Sequence, residues 1–326
     1  MFFNKNLRLP VAVFLFTFSI LAVVQWKMVK NPILIAERFL NGAGWIQLTL
    51  IALYGAFVAW KMQDQKNVPQ WRRITWTLFS VVFFSQLLLG ILGAERFLMT
   101  GKLHLPIPML IVAGPIHRAQ LSLMTILFIS TIILTGPAWC SQLCYFGAMD
   151  NLVARGKTKL AKLKNQRAIK STILILVITA ALVLRWLNVS PLITTIIAVV
   201  FGLTGVGVMI FYSRKHKKMA HCTLYCPIGT VVNLTKPINP FRMYIDSNCD
   251  LCMKCTSYCK YDALNLQDIK NKKPGFNCTL CGDCLTACRH SSIKYKFFRL
   301  SPQTSRNLYL FLTISLHAVF LALAKI

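Results

Sequence analysis

Residues 249–259 read CDLCMKCTSYC and residues 278–288 read CTLCGDCLTAC, two runs with the same cysteine spacing of two, two and three intervening residues. That spacing suits a cubic iron-sulfur cluster, because three closely spaced thiolates cap one face of an Fe4S4 cube and a fourth, from the other run, closes it. The rule assigns Cys249, Cys252, Cys255 and Cys288 to one [4Fe-4S] cluster and Cys278, Cys281, Cys284 and Cys259 to a second. Structural zinc is the plainer alternative, but zinc sites seldom need a run of this form. Where a proline commonly follows the fourth cysteine, this chain has Lys260 and Arg289. A cation beside a cluster favours its reduced state, so both replacements are expected to raise the potential, less so where water screens them.

The sequence outside these runs is of another kind. Of 326 residues, 56% are hydrophobic and only 14% charged, with a mean hydropathy of +0.56, which is too apolar for a soluble chain of this length. A spanning helix needs about 20 mostly apolar residues. Seven stretches approach that length, near 10–26, 44–60, 74–93, 119–138, 169–187, 192–212 and 307–324. The first follows Lys5 and Arg8 as a signal peptide would, yet it ends in Gln25, Trp26 and Lys27 without a small-residue cleavage site, so it reads as a retained helix. The last is short and contains His317; an amphipathic surface helix is its alternative.

A net charge of +28 in a soluble protein would suggest nucleic acid, but here the basic residues fall in short loops between apolar runs. Lys61, Lys66, Arg72 and Arg73 lie between the second and third stretches, and Arg155, Lys157, Lys159, Lys162, Lys164 and Arg167 follow the fourth. By the positive-inside rule both loops are cytoplasmic. Alternation then puts the N-terminus, the segment Ser213–Lys218 and both long cysteine runs inside, and the C-terminal tail outside. The expected fold is a polytopic α-helical membrane protein of about seven spanning helices with an inserted α+β module of the bacterial 2[4Fe-4S] ferredoxin type. Its expected segments are a helix pair at 1–73, a duplicated membrane unit at 74–240, the cytoplasmic ferredoxin module at 241–300 and a last helix at 301–326.

The duplication is read from the remaining four of the twelve cysteines. The segment AWCSQLCYFGAMDNL at 138–152 aligns without a gap to AHCTLYCPIGTVVNL at 220–234, sharing the alanine, both cysteines and the later glycine, asparagine and leucine. Each pair follows an apolar stretch, so both are expected at one cytoplasmic depth. On a helix the i, i+4 spacing points both thiols to one face, so Cys140, Cys144, Cys222 and Cys226 could ligate one further metal centre. Redox-active thiols and plain buried cysteines are the other two readings.

With these motifs in place the chain resembles the NapH/NosR-type membrane-bound polyferredoxins, the quinol dehydrogenase membrane component family. Their marks are a bundle of spanning helices, two CxxxCP motifs and a cytoplasmic two-cluster ferredoxin. Cys222, Cys226 and Pro227 match the second motif in full, while the first has Tyr145 in the proline's place. The resemblance covers residues 70–300 or so. It implies electron transfer between the quinone pool and a redox partner, in the bacterial cytoplasmic membrane. Related members of the NosR and CcoG types carry a flavin-binding or a C-terminal domain; with neither extension expected here, the resemblance implies an electron-transfer subunit that needs partner proteins such as a flavin or haem subunit. A metal- or thiol-reducing maturation factor of the CcoG type is the alternative.

Quinol oxidation releases protons, and the chain's two glutamates sit in one repeated pentapeptide, AERFL at 36–40 and at 94–98. Glu37 or Glu95, with His117 on the same side, could accept such protons at the outer interface. An interfacial Glu-Arg ion pair is the plainer reading. Haem ligation by His117 with His104 is a remoter one. All twelve cysteines are placed on the cytoplasmic side of a hydrocarbon core about 30 Å thick, so either the quinone site lies near that face or another carrier crosses it.

Overall fold

The computed structural model describes residues 7–28, 32–97, 107–121, 123–156, 158 and 162–323, without the side chains of Glu95 and Leu123. Lys5, Lys157, Lys159 and His104 lie outside the described residues. In chain order the longer elements are α1 (Arg8–Lys27), α2 (Ala43–Gln63), α3 (Val68–Ile91), α4 (Met109–Arg118), α5 (Leu123–Thr135), α6 (Tyr145–Val153), α7 (Gln166–Trp186), α8 (Pro191–Gly207), α9 (Pro227–Leu234), β1 (Phe241–Ile245), β2 (Ile293–Phe297) and α10 (Pro302–Ala322).

Seven helical stretches among the described residues are long and apolar enough to cross a membrane: Arg8–Lys27, Ala43–Gln63, Gln65–Ile91, Met124–Leu143, Gln166–Trp186, Pro191–His216 and Pro302–Ala322. They fall on the seven stretches expected. Leu15, Leu50, Leu176, Val200 and Phe211 are each more than half exposed, and long helices that present side chains of this kind are compatible with a lipid surrounding.

The chain divides into two compact units, Met1–Pro106 with Gln303–Ile326, and Ile107–Pro302. These boundaries differ from the four expected segments. α3 belongs with α1 and α2, because the three-residue turn Gln65–Asn67 makes α2 and α3 antiparallel neighbours. Residues 241–300 do not form a body of their own but share one unit with the paired membrane-edge cysteines.

In the first unit α10 is a core helix rather than a surface one: Tyr309, Ile314, His317 and Ala318 are each at most 4% exposed. Val13, Val58, Leu310 and Ile314 form one cluster, and Leu21, Leu34, Leu48 and Val319 another. Gly55 permits this approach, since a Cβ there would lie 3.3 Å from both Val13 and Ala318. Arg306 donates to the carbonyls of Met62 at 2.7 Å and Gln63 at 2.8 Å, meeting the negative end of α2 with a cation. The polar ring of His317 is satisfied inside the bundle by the Tyr54 hydroxyl, 3.0 Å from Nε2.

In the second unit α5 ends at Gly136, whose φ of +60° turns the chain, and Pro137 follows. A π-helical turn, Trp139–Leu143, comes next and ends on Cys144. The second copy repeats this device: a π-turn at His221–Tyr225 ends on Cys226. β1 and β2 pair antiparallel from Phe241 opposite Phe297 to Ile245 opposite Ile293, and Phe241, Met243 and Ile245 alternate inward. α4, which the apolar pattern does not announce, buries Met109, Ile111 and Ala113.

Candidate iron-sulfur sites

The two long cysteine runs are conformational copies of each other, offset by 29 residues. Leu251 and Leu280 are left-handed at φ +59° and +57°, Met253 and Gly282 at +60° and +84°, and Asp262 and Ser291 at +53° and +49°. A non-glycine residue in that region costs about 1–2 kcal/mol, so the repeated placement of five such residues marks a shape held for a purpose. The backbone turns inward as a result. The N–H of Ala263 donates to Cys259 Sγ at 3.3 Å, and at the matching place the N–H of Ser292 donates to Cys288 Sγ at 3.1 Å.

The thiols gather in the two sets that the spacing rule pairs. Cys249, Cys252, Cys255 and Cys288 line one cavity together with Ile245, Ile293 and Arg289. Cys259, Cys278, Cys281 and Cys284 lie within electrostatic reach of one another. Cys252 at the rim of the first set is exposed, whereas Cys284 in the second is buried. Burial, with the neighbouring thiols second, pushes Cys255 up to about 11 and Cys259 and Cys284 well above the ordinary thiol range. Such sulfurs become thiolates readily only against a strong local positive charge, which bound iron supplies. Among the described residues no three His, Cys, Asp or Glu side chains close up around a single metal ion.

Cys140, Cys144, Cys222 and Cys226 also converge, each within electrostatic reach of at least one sulfur of the opposite pair. Their meeting does not rest on the helical i, i+4 face expected from the sequence. The intervening residues form π-turns, and the second cysteine of each pair is extended, at φ −83° and −70°. Cys144 and Cys226 instead stand as N-caps of α6 and α9, whose partial positive charge suits a thiolate. Cys144 accepts from the N–H groups of Phe146 and Gly147, and Cys226 from those of Ile228 and Gly229. Gly147 and Gly229 are the glycine shared by the two sequence copies. At Gly229 a Cβ would lie 3.1 Å from the Cys222 carbonyl and 3.4 Å from Lys170 Nζ. Burial raises the pKa of Cys144, Cys222 and Cys226. Beside them Asp150 Oδ2 accepts from the Cys222 N–H at 3.0 Å, and burial lifts this carboxyl to about 6. His221 is pushed down to about 4 by burial and is neutral near pH 7.

The second thiol set and the membrane-edge thiols are joined by short polar links. Tyr261 donates to the Cys140 carbonyl at 2.8 Å, and Ser141 to that of Thr279 at 3.2 Å. Lys170 and Asn233 both donate to Asn277 Oδ1, at 3.1 and 2.9 Å. Lys236 donates to the Phe276 carbonyl and feels the charge of both Cys278 and Cys140. Lys260 donates to the Ala154 carbonyl at 2.5 Å, so this departure from proline holds residues 259–262 against the end of α6. Lys170, Lys236 and Asn277 escape sequence reading; the one available signal is a lysine near the start of a mostly apolar span.

The remaining candidates fall differently. Glu37 accepts from the N–H groups of Gly42 at 2.9 Å and Gly44 at 2.8 Å, where α2 begins, and these bonds hold its pKa below the usual range. A carboxylate so engaged is a poor proton acceptor near neutral pH. The two pentapeptide copies meet: Arg38 donates to the Arg96 carbonyl at 2.8 Å, and the rings of Phe39 and Phe97 lie 5.3 Å apart. The Glu95 side chain is outside the described residues. His117, near the end of α4, belongs to the second unit and Glu37 to the first.

Among known families, a 4Fe-4S binding domain matches residues 119–162. That segment holds Cys140 and Cys144 and lies outside the two long runs. No curated protein and no solved structure matches the chain. The domain match and the cysteine content together support iron-sulfur binding by this protein.

Proposed function

We propose that the chain is a membrane electron-transfer subunit that passes electrons between the quinone pool and a redox partner through [4Fe-4S] clusters. The observation that carries this reading is the continuity of the cysteine sets within one unit. The outer set reaches the surface at Cys252, its Cys255 lies within electrostatic reach of Cys284 in the second set, and the second is tied through Tyr261 to the backbone of Cys140. Iron in these sets supplies one-electron redox chemistry when bound. The chain's own residues hold the sulfurs, exclude water from the inner set and carry N–H groups to the thiolates. Cys249, Cys252, Cys255 and Cys288 would hold one cluster and Cys278, Cys281, Cys284 and Cys259 the second. Cys140, Cys144, Cys222 and Cys226 would hold a third, for which the 4Fe-4S domain match over Cys140 and Cys144 is independent support. In this reading the seven helices span the bacterial cytoplasmic membrane, with the long runs on the cytoplasmic side, and a partner protein meets the outer set.

Anaerobic purification followed by iron analysis and low-temperature EPR tests it. About twelve iron atoms are expected, four per cube, with reduced-cluster signals after dithionite. A preparation stoichiometric in zinc and silent in EPR would overturn the reading. Should the clusters form but respond only to metal or thiol clients and never to quinol, the maturation-factor alternative would take its place.

A further inference from the structure

Lys170 is 1% exposed, and the ammonium of Lys236 lies deep enough that burial lowers its pKa to about 8. A buried ammonium is costly unless an anion faces it. Lys218, also 1% exposed, has its anion in Asp262 at 2.6 Å. Lys170 and Lys236 have no such carboxylate among the described residues; their hydrogen bonds go to neutral acceptors, Asn277 Oδ1 and the Phe276 carbonyl. The groups of opposite potential charge that surround them are sulfurs. A Cβ built at Gly229 would lie 3.4 Å from Lys170 Nζ and 3.8 Å from Cys226 Cβ, so the two side chains share one pocket; Lys170 lies within electrostatic reach of Cys140, Cys226 and Cys222, and Lys236 of Cys278 and Cys140.

We propose that Lys170 and Lys236 are the built-in counter-charges of the four-thiol centre at Cys140, Cys144, Cys222 and Cys226, and that they hold its reduction potential above that of the outer cluster. The proposal rests on the reading that these four thiols bind an iron-sulfur cluster. A cube with four thiolates is anionic and becomes more so on reduction, so a fixed cation in a dry site favours the reduced form. Lys170, enclosed beside the centre, acts without the screening that water gives at the surface, and the half-buried Lys236 is screened only in part. At the outer set the charged side chains lining the cavity are Arg289 and Asp250; Arg289 is exposed, and Asp250, 3.3 Å from His290, is about half exposed, so water screens both. Lys236 also faces Cys278, so it should lift the second cluster in part. The lysines are positioning residues: they touch the frame around the sulfurs, not the electron's route.

The test is potentiometric EPR titration of the full-length protein and its Lys170→Met, Lys236→Met, Lys170→Arg and Lys236→Arg variants, with Cys140→Ala/Cys222→Ala identifying the membrane-edge signal. In each Met variant that signal should move to lower potential by at least about 59 mV, a tenfold loss in reduced fraction relative to oxidised for a one-electron couple. The Arg variants should stay close to the parent, and the outer-cluster signal should not move in any of them. Loss of the centre's iron in the Met variants with its retention in the Arg variants would also support the charge role. An unchanged potential in both Met variants, or equal loss of iron in Met and Arg variants, would overturn the proposal. Failure of the underlying reading looks different: the parent protein would itself carry about eight iron atoms and show no signal that the cysteine variant removes.

Discussion

The hydroxyl of Tyr261 donates to the carbonyl oxygen of Cys140 at 2.8 Å, joining the residue two places after Cys259 to the first cysteine of the membrane-edge set. Tyr261 is 3% exposed, so its removal leaves a buried acceptor short of a donor, at a cost of about 1–3 kcal/mol. Tyr261→Phe should therefore keep all iron, lower the melting temperature slightly, and slow electron exchange between the second cluster and the membrane-edge centre. Freeze-quench EPR of the two signals checks this. Equal exchange rates in variant and parent would show that the contact is structural only.

Lys218 and Asp262 form a buried ion pair, and Asp262 accepts in addition from the Leu163 N–H at 2.8 Å and from the Gln166 amide. Lys218→Met leaves a buried carboxylate without its cation, which costs about 3–5 kcal/mol. Adding Asp262→Asn should restore part of that loss. Thermal unfolding of the two variants measures it, and additive losses would show that the pair is not coupled.

Glu37 caps the start of α2 through Gly42 and Gly44. Its folded pKa is depressed, so its contribution to stability is present above the unfolded value and is lost as pH falls through the folded one. Glu37→Gln should remove that acid-side dependence and leave quinol-linked cluster reduction unchanged. A slower rate with full iron content would instead give the carboxylate a part in proton transfer.

Topology is open to a direct check. Reporter fusions near residue 300 and at the C-terminus should report opposite sides of the membrane, because α10 lies between them and is apolar enough to span. Identical reports would mean that α10 does not cross, whatever its burial in the first unit.

The long apolar stretches and both thiol sets of the 249–288 region were legible because period, length and cysteine spacing are local signals. The duplicated CxxxC segments were legible as a repeat, but not their π-turns, since nothing in a single π-turn's composition separates it from an α-turn. The placement of Lys170 beside Asn277 was not legible either. It joins residues more than a hundred positions apart, and a lone lysine in an apolar span ordinarily reads as one that snorkels to the membrane surface. The last apolar stretch is short and holds His317, a pattern that also fits a surface helix, yet Tyr54 supplies that ring's partner from another helix. The grouping of α2 with α10 is likewise set by packing between distant segments, as Gly55 shows by admitting Ala318.

Exchange of electrons between the clusters and the quinone pool is tested by EPR of anaerobic membrane-embedded protein equilibrated at a series of quinol-to-quinone ratios. Cluster reduction should track the ratio and settle within the time of a catalytic turnover. Clusters that dithionite reduces but that remain unchanged at every quinol-to-quinone ratio would contradict it.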